Sequence, residues 1–302
     1  MIGFLQPNLY GQTGGKNEHY KRTPKKGFAG LEIKKTGIFY SPKGFEMAER
    51  KAPEKPKVPV IAEGGIVDFG WWTLNQHGLL TITGSGQMPN FRWDDVMHST
   101  TAPWWRVKDE IKAARISNGV TSVGEYSFYD CKNLTCIIMP DGVICIGKCS
   151  FTSCMRLSGL VIPCTVTRIG EKAFAHCQKL IHLIIPNTVT TIEAHAFDDC
   201  VSLIHITIAK TERVSTIQRG AFFNCESLIS FTIPGSVTKI GGSAFAYCES
   251  LTNLEIPNSV TTIGMGAFLG CRNLRRVKMP TRFNKLLFES YYGISKDIVE
   301  FT

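Results

Sequence analysis

Eleven cysteines and seven histidines are the residues of this 302-residue chain with the greatest chemical reach. Thiolates and imidazoles bind metals, act as nucleophiles and carry protons, so their spacing is read first. Seven cysteines recur at a near-fixed interval: Cys131, Cys154, Cys177, Cys200, Cys225, Cys248 and Cys271 are separated by 23, 23, 23, 25, 23 and 23 residues. They form no C-x-x-C pair, so the spacing does not support a structural zinc site. A ladder that gives every rung an equivalent neighbour suits packing rather than disulfide pairing, and the expected role is a small apolar side chain filling an inner corner. The other four, Cys136, Cys145, Cys149 and Cys164, lie in one 29-residue stretch. Later repeats place Gly159, Arg168, Lys172 and Asn187 at the matching positions, so these four thiols are expected at the surface. Such thiols need pairing in an oxidising medium and stay free in a reducing one.

Among the histidines, His182 and His205 hold the same position in successive Leu-Ile-His segments. They are expected as stacked neighbours on one face, either a metal pair or pH-sensitive contact, or simply two exposed imidazoles. Gly159 and Ser230 flank them in that column, so no carboxylate completes a metal site. The chain also lacks G-x-S-x-G, H-E-x-x-H, Walker A and EF-hand patterns. Neither an enzyme nor a cofactor or metal is expected.

The elements that position these residues follow from the same period. Three residues before each ladder cysteine stands Phe128, Phe151, Phe174, Phe197, Phe222, Phe245 or Phe268, and three residues after it stands a Leu. One unit reads C-x-x-L-x-x-L-x-I-P-x-x-V-T-x-I-x-x-x-A-F-x-x. Its Leu and Ile positions describe a short strand ended by a proline, which has no N–H to donate. A second extended stretch follows, then a helical or 3-10 turn around Ala-Phe. A single unit buries too little to fold, whereas stacked units bury continuous ladders at about 4.8 Å per rung. The expected fold is a right-handed, mainly β solenoid of about seven 23-residue repeats over 118–280, with one parallel sheet face.

The ends read differently. Residues 1–62 hold an excess of Lys and Arg that supplies most of the net charge of +9. With the Pro-rich stretch Ala52–Pro59 they read as a basic, flexible segment and linker. Such a segment is able to touch nucleic acid or acidic lipid, but a solvated tail is the favoured reading, and nucleic acid is not expected as a partner. Residues 63–117 read as a hairpin cap, with Trp72, Leu74, Leu80 and Ile82 alternating around the turn Asn75–Gly78. Residues 281–302 read as a C-terminal cap with a last strand near Ile298 and Phe301. No run approaches the roughly 18 apolar residues of a membrane span, and residues 1–30 lack the apolar core of a leader peptide.

At these residues the chain resembles the BspA-type leucine-rich repeats. The segment LTNLEIPNSVTTIGMGAFLGCRNL, Leu251 to Leu274, is similar to that family's consensus at nearly every position. The stretch from Trp71 to Phe91, followed by Ala102-Pro103-Trp104-Trp105, resembles the hairpin module that often opens such arrays. The resemblance covers about residues 64–302. It implies a surface or secreted protein, in some members an adhesin for host matrix proteins or other cells, and it brings no catalytic motif. The compartment stays open between that implication and the free cysteines, which suit a reducing one.

A solenoid presents its ligand surface on the sheet face. One outward column there is Ile138, Val161, Ile184, Thr207, Thr232, Glu255, Lys278, which passes from apolar to polar to charged. The exposed Ile-Val-Ile run marks a contact patch, or else reflects β-propensity or cover by the N-terminal segment. The expected function is non-enzymatic recognition of a protein or cell-surface ligand, centred on Ile138, Val161, Ile184, His182 and His205. The alternative is an intracellular or phage- or effector-associated scaffold module.

Overall fold

The computed structural model describes residues 58–209, 213–283 and 288–302. The first 57 residues, and with them most of the basic segment, lie outside the described residues. The described chain falls within one unit, Pro56–Thr302.

The array is a β-solenoid, and parallel sheets form along two of its faces. On the first, short strands such as Cys136–Ile138, His182–Ile185, His205–Ile208 and Arg276–Met279 carry the Leu and Ile of each repeat. This face is segmented. Gly159–Leu160 pairs back to Cys136–Ile138, His182–Ile185 pairs with His205–Ile208, and Ser230 joins the next rungs only through isolated bridges to His205 and Asn253. The second extended stretch of each repeat forms a sheet of its own. Eight strands run in order from Thr262–Ile263 back through Thr191–Ile192 and Cys145–Ile146 to Gly86–Gln87. Most are two residues long, with a buried Ile on the inner side and a Thr, Arg, Lys or Cys on the outer.

Between the faces runs the Phe ladder. All seven rings are fully buried. They stack nearly parallel, with centroids 5.1 Å apart for Phe128 and Phe151, 5.2 Å for Phe151 and Phe174, and 5.7 Å for Phe245 and Phe268. The backbone enforces that register: the N–H of Phe151 donates to the Ala173 carbonyl and that of Phe174 to Ala196, each at 2.8 Å. The turn that presents each Phe contains two left-handed residues per rung, for example Lys172 (φ 54°) with His176 (φ 60°) and His195 (φ 58°) with Asp199 (φ 57°). The left-handed region is sterically unfavourable for most residues, and Asn, Asp and His are among those that tolerate it best.

Both ends of the ladder are closed by other structure. At the N-terminal end, β1 (Val60–Ile66), β2 (Gly70–Asn75) and β3 (Leu79–Gly84) form an antiparallel meander, and β3 then pairs parallel with Ala113–Ile116. Strand β1 begins at Val60, so the module's first strand runs across the boundary placed at residue 62. Trp104 lies tilted over Phe128 at 6.0 Å and meets Trp72 and Phe91 edge-on. At the C-terminal end, Tyr292 lends its carbonyl to the N–H of Phe268, taking the place that a further repeat's Ala would fill. Val299–Phe301 adds a last parallel strand beside Arg276–Met279.

Candidate functional site

The outward columns of the first face are set by strand alternation. Where Ile137, Leu183 and Ile206 point inward and are buried, their neighbours point out. Ile138 is 55% exposed, Val161 78% and Ile184 68%. His182 and His205 are exposed and face each other in register across adjacent strands. Their rings stack at 5.6 Å with an 8° angle between planes. The two imidazoles and Ile184 therefore share one sheet segment, while Ile138 and Val161 stand on the neighbouring rungs of the same face, Ile138 in the preceding segment and Val161 just past the end of Gly159–Leu160. No group of three or more metal-ligating side chains forms among the described residues.

Toward the C-terminal end the same columns become charged and internally paired. The Arg276 guanidinium donates twice to the Glu300 carboxylate at 2.7 Å, which holds that carboxyl below its usual range. Lys278 lies 3.7 Å from Glu255. The face thus divides into an apolar, histidine-bearing half and a half whose charges already have partners.

The four off-ladder cysteines do not share the surface position expected of them. Cys164 alone is exposed; Cys136 and Cys145 are half-buried, and Cys149 is buried. Position Cys149 corresponds to exposed Lys172 one rung on, but the thiol is buried and hydrogen-bonds with the side chains of Tyr126 on the preceding rung and Thr152 on its own. Burial pushes the Cys149 thiol up. The ladder cysteines are buried, except for half-buried Cys271, and burial raises their thiol pKa values as well.

Two histidines that spacing did not single out each pair with a carboxylate. His176 Nδ1 lies 2.9 Å from Asp199 Oδ2, and His195 Nδ1 lies 3.0 Å from Asp198 Oδ2. Asn224 donates to the other oxygen of Asp199 at 2.7 Å. The only available signal was that His176, Asp199 and Asn224 immediately precede successive ladder cysteines and are therefore stacked. Nearby, Trp93, Trp105, Tyr126 and Tyr129 form a half-buried aromatic cluster separate from the Phe ladder.

A family model described as the BspA type leucine rich repeat region, in six copies, matches residues 107–215 and 208–302. No curated sequence relative matches the chain. Among solved structures, a leucine-rich repeat protein from Bacteroides ovatus is similar at 24% identity and a TM-score of 0.51, covering 72% of this chain and 65% of that one. The chain thus spans about 65% of the length of the Bacteroides ovatus protein, and the likeness is one of fold. A leucine rich cell surface protein from Faecalibacterium prausnitzii is similar at 24% identity and a TM-score of 0.49, covering 72% of this chain and 70% of that one. A leucine-rich repeat protein from Eubacterium ventriosum follows at 22% identity and 0.45, covering 73% of each chain.

Proposed function

The chain belongs to the BspA-type leucine-rich repeat family, and on that premise we propose that it is a non-enzymatic recognition protein that binds a protein or cell-surface ligand through the N-terminal half of its first sheet face. Leucine-rich repeat solenoids are generally binding or scaffolding modules, and among the described residues no helix is long and apolar enough to cross a membrane. The observation that carries the reading is the exposed run Ile138, Val161 and Ile184 beside the stacked His182 and His205. Covering such side chains gains roughly 25 cal/mol per Å² of apolar surface. The Glu255 to Glu300 end offers no such gain, because its charges are solvated and paired; charges at a rim tune association rate more than affinity.

The test compares two triple variants of the full chain. Ile138, Val161 and Ile184 to Thr keeps β-propensity and leaves the buried side of each strand intact. Thr191, Thr216 and Lys239 to Ala alters the outer side of the second sheet. Binding is measured to intact cells and to immobilised extracellular-matrix protein, with circular dichroism to confirm the fold. The first triple should weaken binding at least tenfold, about 1.4 kcal/mol, and the second should leave it unchanged. The reverse result places the ligand on the second sheet and refutes the reading.

A further inference from the structure

A second surface, away from the apolar face, carries its own recognition chemistry. Two columns of the Phe-bearing turns run side by side: Tyr126, Cys149, Lys172, His195 and Tyr129, Thr152, Ala175, Asp198. At the first rung both positions are large aromatics. At the second they shrink to Cys and Thr, and at the third to Ala beside an outward Lys. The fourth restores bulk with His and Asp. Large–small–small–large side chains on successive rungs leave a hollow, and a cleft of about 340 Å³ lies there. That is within the range of small-ligand sites, which begins near 300 Å³.

We propose that this cleft, walled by Trp93, Tyr126 and Tyr129 and rimmed by Lys172, His176 and Asp198, is a saccharide-binding site.

The wall is aromatic and half-exposed. Trp93 and Tyr129 pack at 4.9 Å and Tyr126 and Tyr129 at 5.8 Å, with Trp105 bracing both Trp93 and Tyr129 from 6.3 Å. Ring faces are electron-rich, so they attract the weakly positive C–H groups of a pyranose face while excluding water from it. The rim supplies what the hydroxyl edge of such a ring needs. Asp198 accepts from His195 Nδ1 through one oxygen, and its other oxygen has no further partner among the described residues. The Lys172 ammonium has no carboxylate partner among the described residues and is available to donate. His176 is held in place by Asp199. Acceptor and donor thus flank an apolar wall, as a polyol ring requires.

Other small ligands fit this arrangement less well. A quaternary ammonium ion needs rings on several sides of it, and the contact between Trp93 and Tyr129 leaves no gap to occupy. A phosphate would meet one lysine and the neighbouring Asp198 and Asp199 carboxylates. The cleft is also preformed, because Tyr126, Cys149, Lys172 and His176 sit on left-handed backbone fixed by the turn (φ 51–60°), and preorganisation lowers the ordering cost of binding.

The experiment uses the full chain and a panel of glucose, galactose, mannose, N-acetylglucosamine and their disaccharides, with choline and inorganic phosphate as contrasting probes. Saturation-transfer NMR and tryptophan fluorescence report binding. At least one saccharide should bind saturably, and Trp93→Ala and Asp198→Asn should each weaken it about tenfold or more. Lys172→Gln serves as a second rim variant in case Trp93→Ala disturbs the fold, which thermal melting would reveal. The Ile138, Val161 and Ile184 to Thr variant should bind the sugar normally, so failure here and failure of the sheet-face reading are distinguishable. Binding of no saccharide, binding of choline or phosphate instead, or saccharide binding indifferent to Asp198→Asn and Lys172→Gln overturns the proposal.

Discussion

The Sγ of Cys177 lies 3.3 Å from the carbonyl oxygen of Phe151, one rung back in the array. The same contact joins Cys154 to Phe128, Cys200 to Phe174, Cys225 to Phe197 and Cys248 to Phe222. That carbonyl already accepts the N–H of Cys154 at 3.1 Å, so the thiol is a second, weaker donor. A cysteine at this corner is small enough to let the Phe rings stack and polar enough to cover a carbonyl that water does not reach.

Packing should therefore dominate the energetics of the ladder. Phe197→Ala empties a fully buried site between two stacked neighbours and should cost about 3–5 kcal/mol in denaturant unfolding. Cys200→Ala removes one sulfur and a redundant donor, and should cost only about 1–2 kcal/mol, near a buried methylene plus its void. A Phe197→Ala loss below about 1 kcal/mol would contradict the burial of that ring, and a Cys200→Ala loss as large as that of Phe197→Ala would mean the thiol does more than pack.

Thiol chemistry offers an independent check. Reactivity needs access and thiolate character, and only Cys164 is exposed. Ellman's reagent on the native chain should titrate one fast thiol, abolished by Cys164→Ser. Cys136 and Cys145 should follow slowly, since both are half-buried and burial raises the Cys145 pKa. Cys149 should stay silent until denaturant is added. Rapid labelling of Cys149 itself, identified by peptide mapping in a Cys164→Ser variant, would contradict its burial.

The repeat made the rungs legible, because a 23-residue period places Phe, Cys and Leu in superimposed positions whatever their neighbours do. It also placed Ile138, Val161 and Ile184 outward, since strand alternation is local. What it did not reveal depends on contacts between rungs. Cys149 was expected at the surface because Lys172 stands at the matching position, yet it is buried and its thiol meets Tyr126 of the previous rung, a contact that the period of one rung does not give. The His176–Asp199 pair joins two rungs through residues on left-handed backbone, whose side-chain directions no helical or strand periodicity gives. The second sheet was readable only as an extended stretch, because two-residue strands carry too little alternation to announce pairing.

The neighbouring carboxylates Asp198 and Asp199 should give stability slopes of opposite sign with pH. For Asp199, burial raises the pKa, but hydrogen bonds from His176, Asn224 and Gln178 outweigh it and hold the group below its usual value. Its contribution is present above the unfolded carboxyl pKa of about 3.9 and lost as pH falls through the folded value. For Asp198, burial outweighs the bond to His195 and the pKa is raised, so its ionisation costs stability at neutral pH and the cost disappears as pH falls. Asp199→Asn should be less stable than wild type at pH 7 by under about 1 kcal/mol, given its partial exposure, and the gap should close below about pH 4. The gap for Asp198→Asn should instead move in favour of wild type on acidification. Chemical denaturation at pH 3, 5 and 7 measures both, and slopes of the same sign would refute the assignment.

The N-terminal closure rests on Trp104. Its ring is 1% exposed, its Nε1 donates to the Ser127 carbonyl at 2.6 Å, and it stands between the first ladder ring, Phe128, and the cap residues Trp72 and Phe91. Trp104→Phe keeps most of the packing but leaves the Ser127 carbonyl without that donor, a loss of about 1–3 kcal/mol. Trp104→Ala also opens a large void, and about 3–5 kcal/mol should be lost. Because each repeat contacts only its neighbours, the damage should remain near that end. Hydrogen exchange should accelerate in the strands Ala113–Ile116 and Cys136–Ile138 of the Trp104→Ala chain, while amides near Lys239–Ile240 and Thr262–Ile263 keep their protection. Uniform loss of protection along the array would mean that the rungs unfold as one cooperative block, so that the cap stabilises the whole ladder rather than its first turns.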